Sequence, residues 1–229
     1  FLSGLTAAGT GGGVSFLLSI GDCPADNWAT TGTDALPTCG QLDTPNMEPY
    51  KLRGYGCNAC PVRCGALVKI PEGPYASQDE THRPEYETLA ALGPLCRNDS
   101  AEAIIRANEV CNRFGIDTIS AGGAIAFAIE CYQKGIIGPE DTGGLELRWG
   151  DSATVVKLVE QMARREGFGA VLADGSRRAA EQIGRGSEEF AMHVCGRELP
   201  LHDPRVTPAM GVFYIADATP AQHCGSQAM

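Results

Sequence analysis

The sequence predicts a mainly α fold with a short irregular or β N-terminal segment. Three observations predict it. Apolar residues recur at helical spacing in four successive segments beyond residue 99, an aspartate stands at the start of three of them, and short glycine-containing connectors join them. Helices joined this closely point to a mostly helical domain.

Residues 1–56 are rich in Gly, Thr and Pro. Their one apolar run, Val14-Ser-Phe-Leu-Leu-Ser-Ile20, reads as a short helix or strand between loops. Residues 57–98 read as irregular, with a dense cysteine group, then Pro71, Gly73 and Pro74 and a charged stretch to Arg83. Asp99 and Glu102 have capping-box spacing. Ile104, Ala107, Cys111 and Phe114 then mark one helix face, and Gly115 fits its stop. Asp117 can cap a second helix carrying Ile119, Ala126, Phe127 and Cys131 and ending at Gly135. Asp151 opens a third, with Val155, Val159 and Met162, stopped by Gly167; a fourth runs from about Ala170 to Ile183. Past Ala191 the sequence turns to Pro, Asp and short β-like runs such as Val212-Phe-Tyr-Ile215.

With 229 residues, the chain can bury about 70% of its unfolded surface and needs no staple to form a core. Lys and Arg number 18 against 28 Asp and Glu, a net charge of −10, which argues against a nucleic-acid phosphate binder. The longest apolar runs, near residues 14–20 and 124–129, are too short to span a bilayer. Ten cysteines in a chain of this size fall below the density of a disulfide scaffold, roughly 8–10%. No basic stretch leads into an apolar leader, so the thiols are expected to be reduced or metal-bound in a cytoplasmic setting. A chain that begins at Phe1 and stops at Met229 also reads as a piece of a longer protein.

The strongest local signal is Cys57-Asn-Ala-Cys60-Pro-Val-Arg-Cys64-Gly65. Three thiolates within eight residues can each take one iron of a [4Fe–4S] cluster, with a fourth ligand from elsewhere. A structural zinc or unliganded thiols are the alternatives; zinc would want a second close Cys or His pair, which is not seen. The x2-then-x3 order is the reverse of the radical-enzyme pattern. Cys111 and Cys131 fall on apolar helix faces and read as core, while Cys23, Cys39, Cys96 and Cys195 are isolated and read as structural.

Several phrases in one order are more specific. GCNACPVRCG at 56–65, PEYETLAALG at 84–93 and NRFGIDTISAGG at 112–123 are followed by LRWGD at 147–151, REGFGAVLADGSRRAAEQIG at 165–184 and ELPLHDPR at 198–205. Together they resemble the tungsten-containing aldehyde:ferredoxin oxidoreductase family over nearly the whole chain. The resemblance implies the helical domains of that family: residues 1–45 as the tail of an N-terminal metallopterin domain and connector, 46–190 as the helical domain, and 191–229 as the start of the C-terminal part. It implies a tungsten (or molybdenum) bis-pterin centre and a [4Fe–4S] cluster, an aldehyde substrate, ferredoxin as electron partner and no membrane. A homo-oligomer is left open: Arg106 and Glu109 stand where some members carry an ExxH metal site between subunits.

Roles carry over by position. Cys57, Cys60 and Cys64 match the cluster ligands. The family's fourth ligand closes a DxxGxC motif that is not found here; Cys224, in Gln-His-Cys-Gly, does not match its context. Asn112, Gly115 and Asp117 match a pterin-binding DxxGxD, with Asn in place of the first Asp, although Gly115 and Asp117 also serve as a helix stop and the next N-cap. Glu87 matches the acid/base residue beside the metal, with Glu85 as the spare choice. His223 matches the histidine near the metal, and His202 ranks below it; His82 and His193 read as structural. A related tungsten subunit such as an aromatic acyl-CoA reductase, or a non-catalytic iron–sulfur or zinc module, is the competing function.

Overall fold

The computed structural model describes residues 2–223. The N-terminal part holds α1 (Leu2–Ala8), α2 (Val14–Ser19) and a two-stranded ribbon of β1 (Pro24–Ala25) and β2 (Thr30–Thr31). A three-stranded antiparallel sheet follows, formed by β3 (Lys51–Tyr55), β4 (Gly65–Val68) and β5 (Thr81–His82) in that order. Then come α3 (Tyr86–Leu92), α4 (Ala101–Phe114), α5 (Thr118–Gln133), α6 (Ser152–Arg164), α7 (Gly169–Leu172) and α8 (Gly175–Ile183). A small hairpin, β6 (His193–Val194) with β7 (Arg197–Glu198), leads to α9 (Pro208–Ala216).

The mainly α expectation holds, and the cap chemistry explains most of it. Asp117 and Asp151 cap α5 and α6, accepting from the N–H groups of Ser120 and Thr154. At α4 the cap is Ser100, which accepts from Ala103, one residue later than the expected Asp99. Gly115 ends α4 with φ 72°, a left-handed geometry that glycine adopts without steric cost. The expected fourth helix is two helices, α7 and α8, because the chain turns through Gly175 at φ 87°. Val14–Ser19 is helical, and so is the β-like run Val212–Ile215, which lies inside α9.

Helix α5 is the centre of the core. Every residue from Ala121 to Ile129 is buried, as expected of a helix that is apolar on all sides. α4 packs on α6, and α3 packs on α5. The second contact is close: a Cβ added at Gly122 would lie 2.4 Å from the Ala91 carbonyl oxygen. It brings the start of α3 to the start of α5, where the hydroxyls of Thr88 and Thr118 lie 2.8 Å apart.

β4, β5 and α3 all fall in the stretch expected to be irregular, residues 57–98, and its one α-helix is α3. It is seven residues long, and its own N-cap position, Glu85, makes no side-chain cap bond. The N–H of Tyr86 donates instead to Thr10 Oγ1, 2.8 Å away and 76 residues earlier. Thr10 also donates to Glu85. Among the described residues, no helix is long and apolar enough to cross a membrane.

Candidate active site

Glu87 occupies the first turn of α3, and its side chain is 16% exposed. Its two oxygens differ. Oε2 accepts the Leu201 N–H at 2.7 Å. Oε1 is shut off from water and has no hydrogen-bond partner, although two imidazole nitrogens face it. His223 Nε2 lies 3.4 Å away and His202 Nε2 3.6 Å away. Burial pushes the carboxyl up to about 7, with Asp22 and Asp117 adding to the rise; the Leu201 N–H and His202 oppose it. A carboxyl poised there exchanges protons readily at neutral pH.

The segment Glu198–Arg205 is pinned so that His202 points at this oxygen. The Tyr86 hydroxyl donates to the Leu201 carbonyl, and the Tyr214 hydroxyl donates to the His202 carbonyl at 2.8 Å. Asp203 is fully buried; its N–H donates to the Asp22 carbonyl at 2.6 Å, and its carboxylate pairs with Arg205. Arg205 in turn donates to the Trp28 carbonyl at 3.0 Å. The His202 ring lies 4.7 Å from the Tyr86 ring and 5.7 Å from that of His223. On its far side, His202 Nδ1 lies 2.6 Å from Asp22 Oδ2. Burial works against charging His202, but the Asp22 hydrogen bond and the Glu87 and Asp22 charges outweigh it and raise its pKa. Burial and neighbouring His202 lower that of His223.

Two cavities open beside this group. One, of about 470 Å³, is lined by Gly115, Asp117 and Ser120 from the α4–α5 junction, and by Asp174, Gly175 and Glu198 opposite. The second, about 340 Å³, shares Asp117, Ser120 and Glu198 with it and is lined by His223. His223 thus touches both Glu87 and a cavity. Glu198 is buried, with Oε1 accepting from the Ser176 N–H at 2.6 Å and hydroxyl at 2.8 Å. Asn112 lines neither cavity; its amide donates to Thr81 Oγ1 at 3.3 Å.

Cys57, Cys60 and Cys64 lie in the loop between β3 and β4, turned by left-handed residues Ala59 and Arg63. Cys57 is exposed and the other two half-buried, whereas Cys23, Cys39, Cys96, Cys111 and Cys131 are buried. Cys195, also read as structural, is exposed at the β6–β7 turn. The loop is tied to the region of Glu87: the Arg83 guanidinium donates to the Cys64 carbonyl at 2.8 Å, and the Tyr55 phenol feels Glu85, Cys57 and Cys64 together. Among the described residues no three Cys, His, Asp or Glu side chains already converge as a metal-holding set. Cys224 lies outside the described residues.

The structure therefore brings together Glu87, His223 and Asp117 from the expected set. It also places beside them His202, ranked below His223 in the sequence, and Asp22, which nothing in sequence singles out. The signal for His202 was present in ELPLHDPR, whose Asp203 and Arg205 anchor the segment. Arg106 and Glu109 form an ion pair at 2.8 Å, extended by Glu160 and Arg113.

Comparison with known proteins gives the family and the fold. The family profile "Aldehyde ferredoxin oxidoreductase, domains 2 & 3" matches residues 1–229. The chain is 41% identical over 166 residues to a tungsten-containing aldehyde ferredoxin oxidoreductase of Pyrococcus furiosus, covering 72% of this chain and 26% of the relative. It is 36% identical over 213 residues to the protein of the same name from Thermococcus kodakarensis, covering 92% and 34%. The chain thus spans about a third or less of the length of these relatives. A solved structure, the active-site complex BamBC of benzoyl coenzyme A reductase with 1,5-dienoyl-CoA, shares the fold at TM-score 0.70 and 21% identity, covering 89% of this chain and 30% of that one. With a family match along its whole length, the chain belongs to the aldehyde ferredoxin oxidoreductase family.

Proposed function

We propose that this chain supplies the acid–base part of an enzyme that oxidises an aldehyde to a carboxylic acid at a tungsten (or molybdenum) bis-pterin centre, with electrons leaving through a [4Fe–4S] cluster to ferredoxin. The observation that carries the proposal is Glu87 Oε1, shut off from water, without a hydrogen-bond partner and facing two imidazoles beside a cavity. Such an oxygen costs stability, and a catalytic role is one reason for a fold to bear that cost.

The residues fit the pterin centre in kind. Asp117 and Gly115 line the larger cavity, and Asp117 borders both cavities. Asn112 stands one helical turn before Gly115 as the amide of the same motif. The bound metal and its pterins would supply the two-electron oxidation. Aldehyde and water give the acid, two electrons and two protons. Glu87 takes one of those protons at Oε1, and His223 orients the carbonyl oxygen by donating a hydrogen bond. Cys57, Cys60 and Cys64 are the described thiols with the exposure and spacing to hold a cluster.

The test is metal analysis of the intact protein together with aldehyde-dependent reduction of ferredoxin. Tungsten or molybdenum together with iron, and turnover lost in Glu87→Gln at unchanged metal content, is the expected result. Zinc without tungsten, molybdenum or iron overturns the reading. The metals with reduction of an aromatic acyl-CoA, and no aldehyde oxidation, select the competing function.

A further inference from the structure

We propose that Asp22 and His202 are positioning residues that orient one imidazole nitrogen at Glu87 and carry its proton out to water. The proposal rests on Glu87 as the acid–base group and goes beyond it, because neither residue need touch the substrate.

The geometry has a direction. A carboxylate 2.6 Å from Nδ1 makes that nitrogen the one that carries hydrogen, donating to Asp22 Oδ2. Nε2 of His202 is then left as an acceptor, and it faces Glu87 Oε1 at 3.6 Å. Oε2 of Glu87 is occupied by the Leu201 N–H, so Oε1 is the oxygen that exchanges protons. A proton taken there passes to His202 Nε2; the imidazolium is stabilised by Asp22 and releases the proton to water. No other bond forms or breaks, and charge is conserved. The path has an exit, since 20% of the His202 side chain and 12% of Asp22 are exposed, while Oε1 meets no water.

The surrounding charges favour this route. Glu87 is faced by Asp22 and Cys23 from the segment after α2, Tyr86 on α3, Asp117 at the start of α5, His202 beyond β7, Tyr214 on α9, and His223. Burial holds Cys23, Tyr86 and Tyr214 protonated and uncharged. Three carboxyl groups therefore face two imidazoles. His202 has a carboxylate bonded behind it, Asp22 Oδ2 at Nδ1, and the two rings shift in opposite directions. A holding scaffold of Tyr86, Leu201, Asp203 and Tyr214 keeps the ring in place without using its nitrogens.

The experiment uses the intact, metal-loaded enzyme. In His202→Gln, loss of the imidazolium makes Glu87 harder to ionise, so the acid limb of the kcat/KM profile moves up by about one pH unit. kcat falls roughly tenfold to a hundredfold, and KM changes little. In Asp22→Asn the amide N–H holds Nδ1 as acceptor and shifts the proton to Nε2, so a similar loss is expected. The double variant is then no worse than His202→Gln alone, since both act on one path. The infrared band of the protonated Glu87 carboxyl, identified by its absence in Glu87→Gln, titrates at higher pH in His202→Gln. This readout does not depend on turnover. If His202→Gln loses the metal, Asp22→Asn carries the kinetic prediction from the other end. Unchanged pH profiles and kcat in both single variants, with Glu87→Gln inactive, overturn the relay and leave Glu87 standing. Full turnover in Glu87→Gln overturns the acid–base reading itself.

Discussion

Replacing Glu87 by glutamine should stabilise the fold at alkaline pH while removing its chemistry. The carboxyl titrates near 7 in the folded protein against an ordinary 4.5. Well below pH 4.5 it is protonated in both states. Between 4.5 and about 7 the folded protein holds a proton that the unfolded chain has released, so stability falls as pH rises through that window. Above it the loss is complete. At about 1.4 kcal/mol per pH unit, the gap corresponds to a loss of about 3 kcal/mol. This is an upper figure, because 16% of the side chain still meets water. The amide in Glu87→Gln keeps an oxygen for the Leu201 N–H but carries no charge to bury. Urea unfolding followed by circular dichroism at pH 5 and pH 8.5 measures the effect. The variant should gain about 2–3 kcal/mol relative to wild type between the two pH values, or roughly 5–10 °C in melting temperature. An equal difference at both pH values, or a larger destabilisation at pH 8.5, would refute the argument that burial holds this carboxyl protonated.

Two further outcomes test the packing and the cysteine assignments. Gly122→Ala places a methyl 2.4 Å from the Ala91 carbonyl oxygen, so α3 must move off α5; a loss of about 1–3 kcal/mol is expected in thermal unfolding, and a change under 0.5 kcal/mol would contradict the contact. In metal-free protein, iodoacetamide at pH 8 should label Cys57, Cys60, Cys64 and Cys195 at least about tenfold faster than Cys23, Cys96 and Cys111, whose thiols are buried and pushed up by desolvation. Peptide mass spectrometry reads the rates, and Cys96 reacting as fast as Cys57 would contradict the burial pattern.

Local chemistry determined what the sequence could show alone. The long helices were legible because a capping aspartate, a 3.6-residue apolar period and a glycine stop all lie within one segment. The three-cysteine loop was legible because its spacing is itself the signal, and the ordered phrases from residue 56 to 205 carried the family. Where local and distant forces compete, the reading failed. α3 borrows its cap from Thr10, so nothing within residues 84–93 announces a helix start. The run Val212–Ile215 is β-branched and aromatic, yet it lies in a helix opened by Pro208, where Tyr214 packs inward and donates to the His202 carbonyl. The resemblance named Glu87, His223 and Asp117; tertiary structure alone decided how they meet and that Asp22 and His202 stand with them. Asp22, Glu87, His202 and His223 are spread along two hundred residues and meet because burial of α5 and the fixing of Glu198–Arg205 draw their segments together. Burial is a property of the whole fold, and so is the raised pKa of Glu87, which no neighbour in sequence could have foretold.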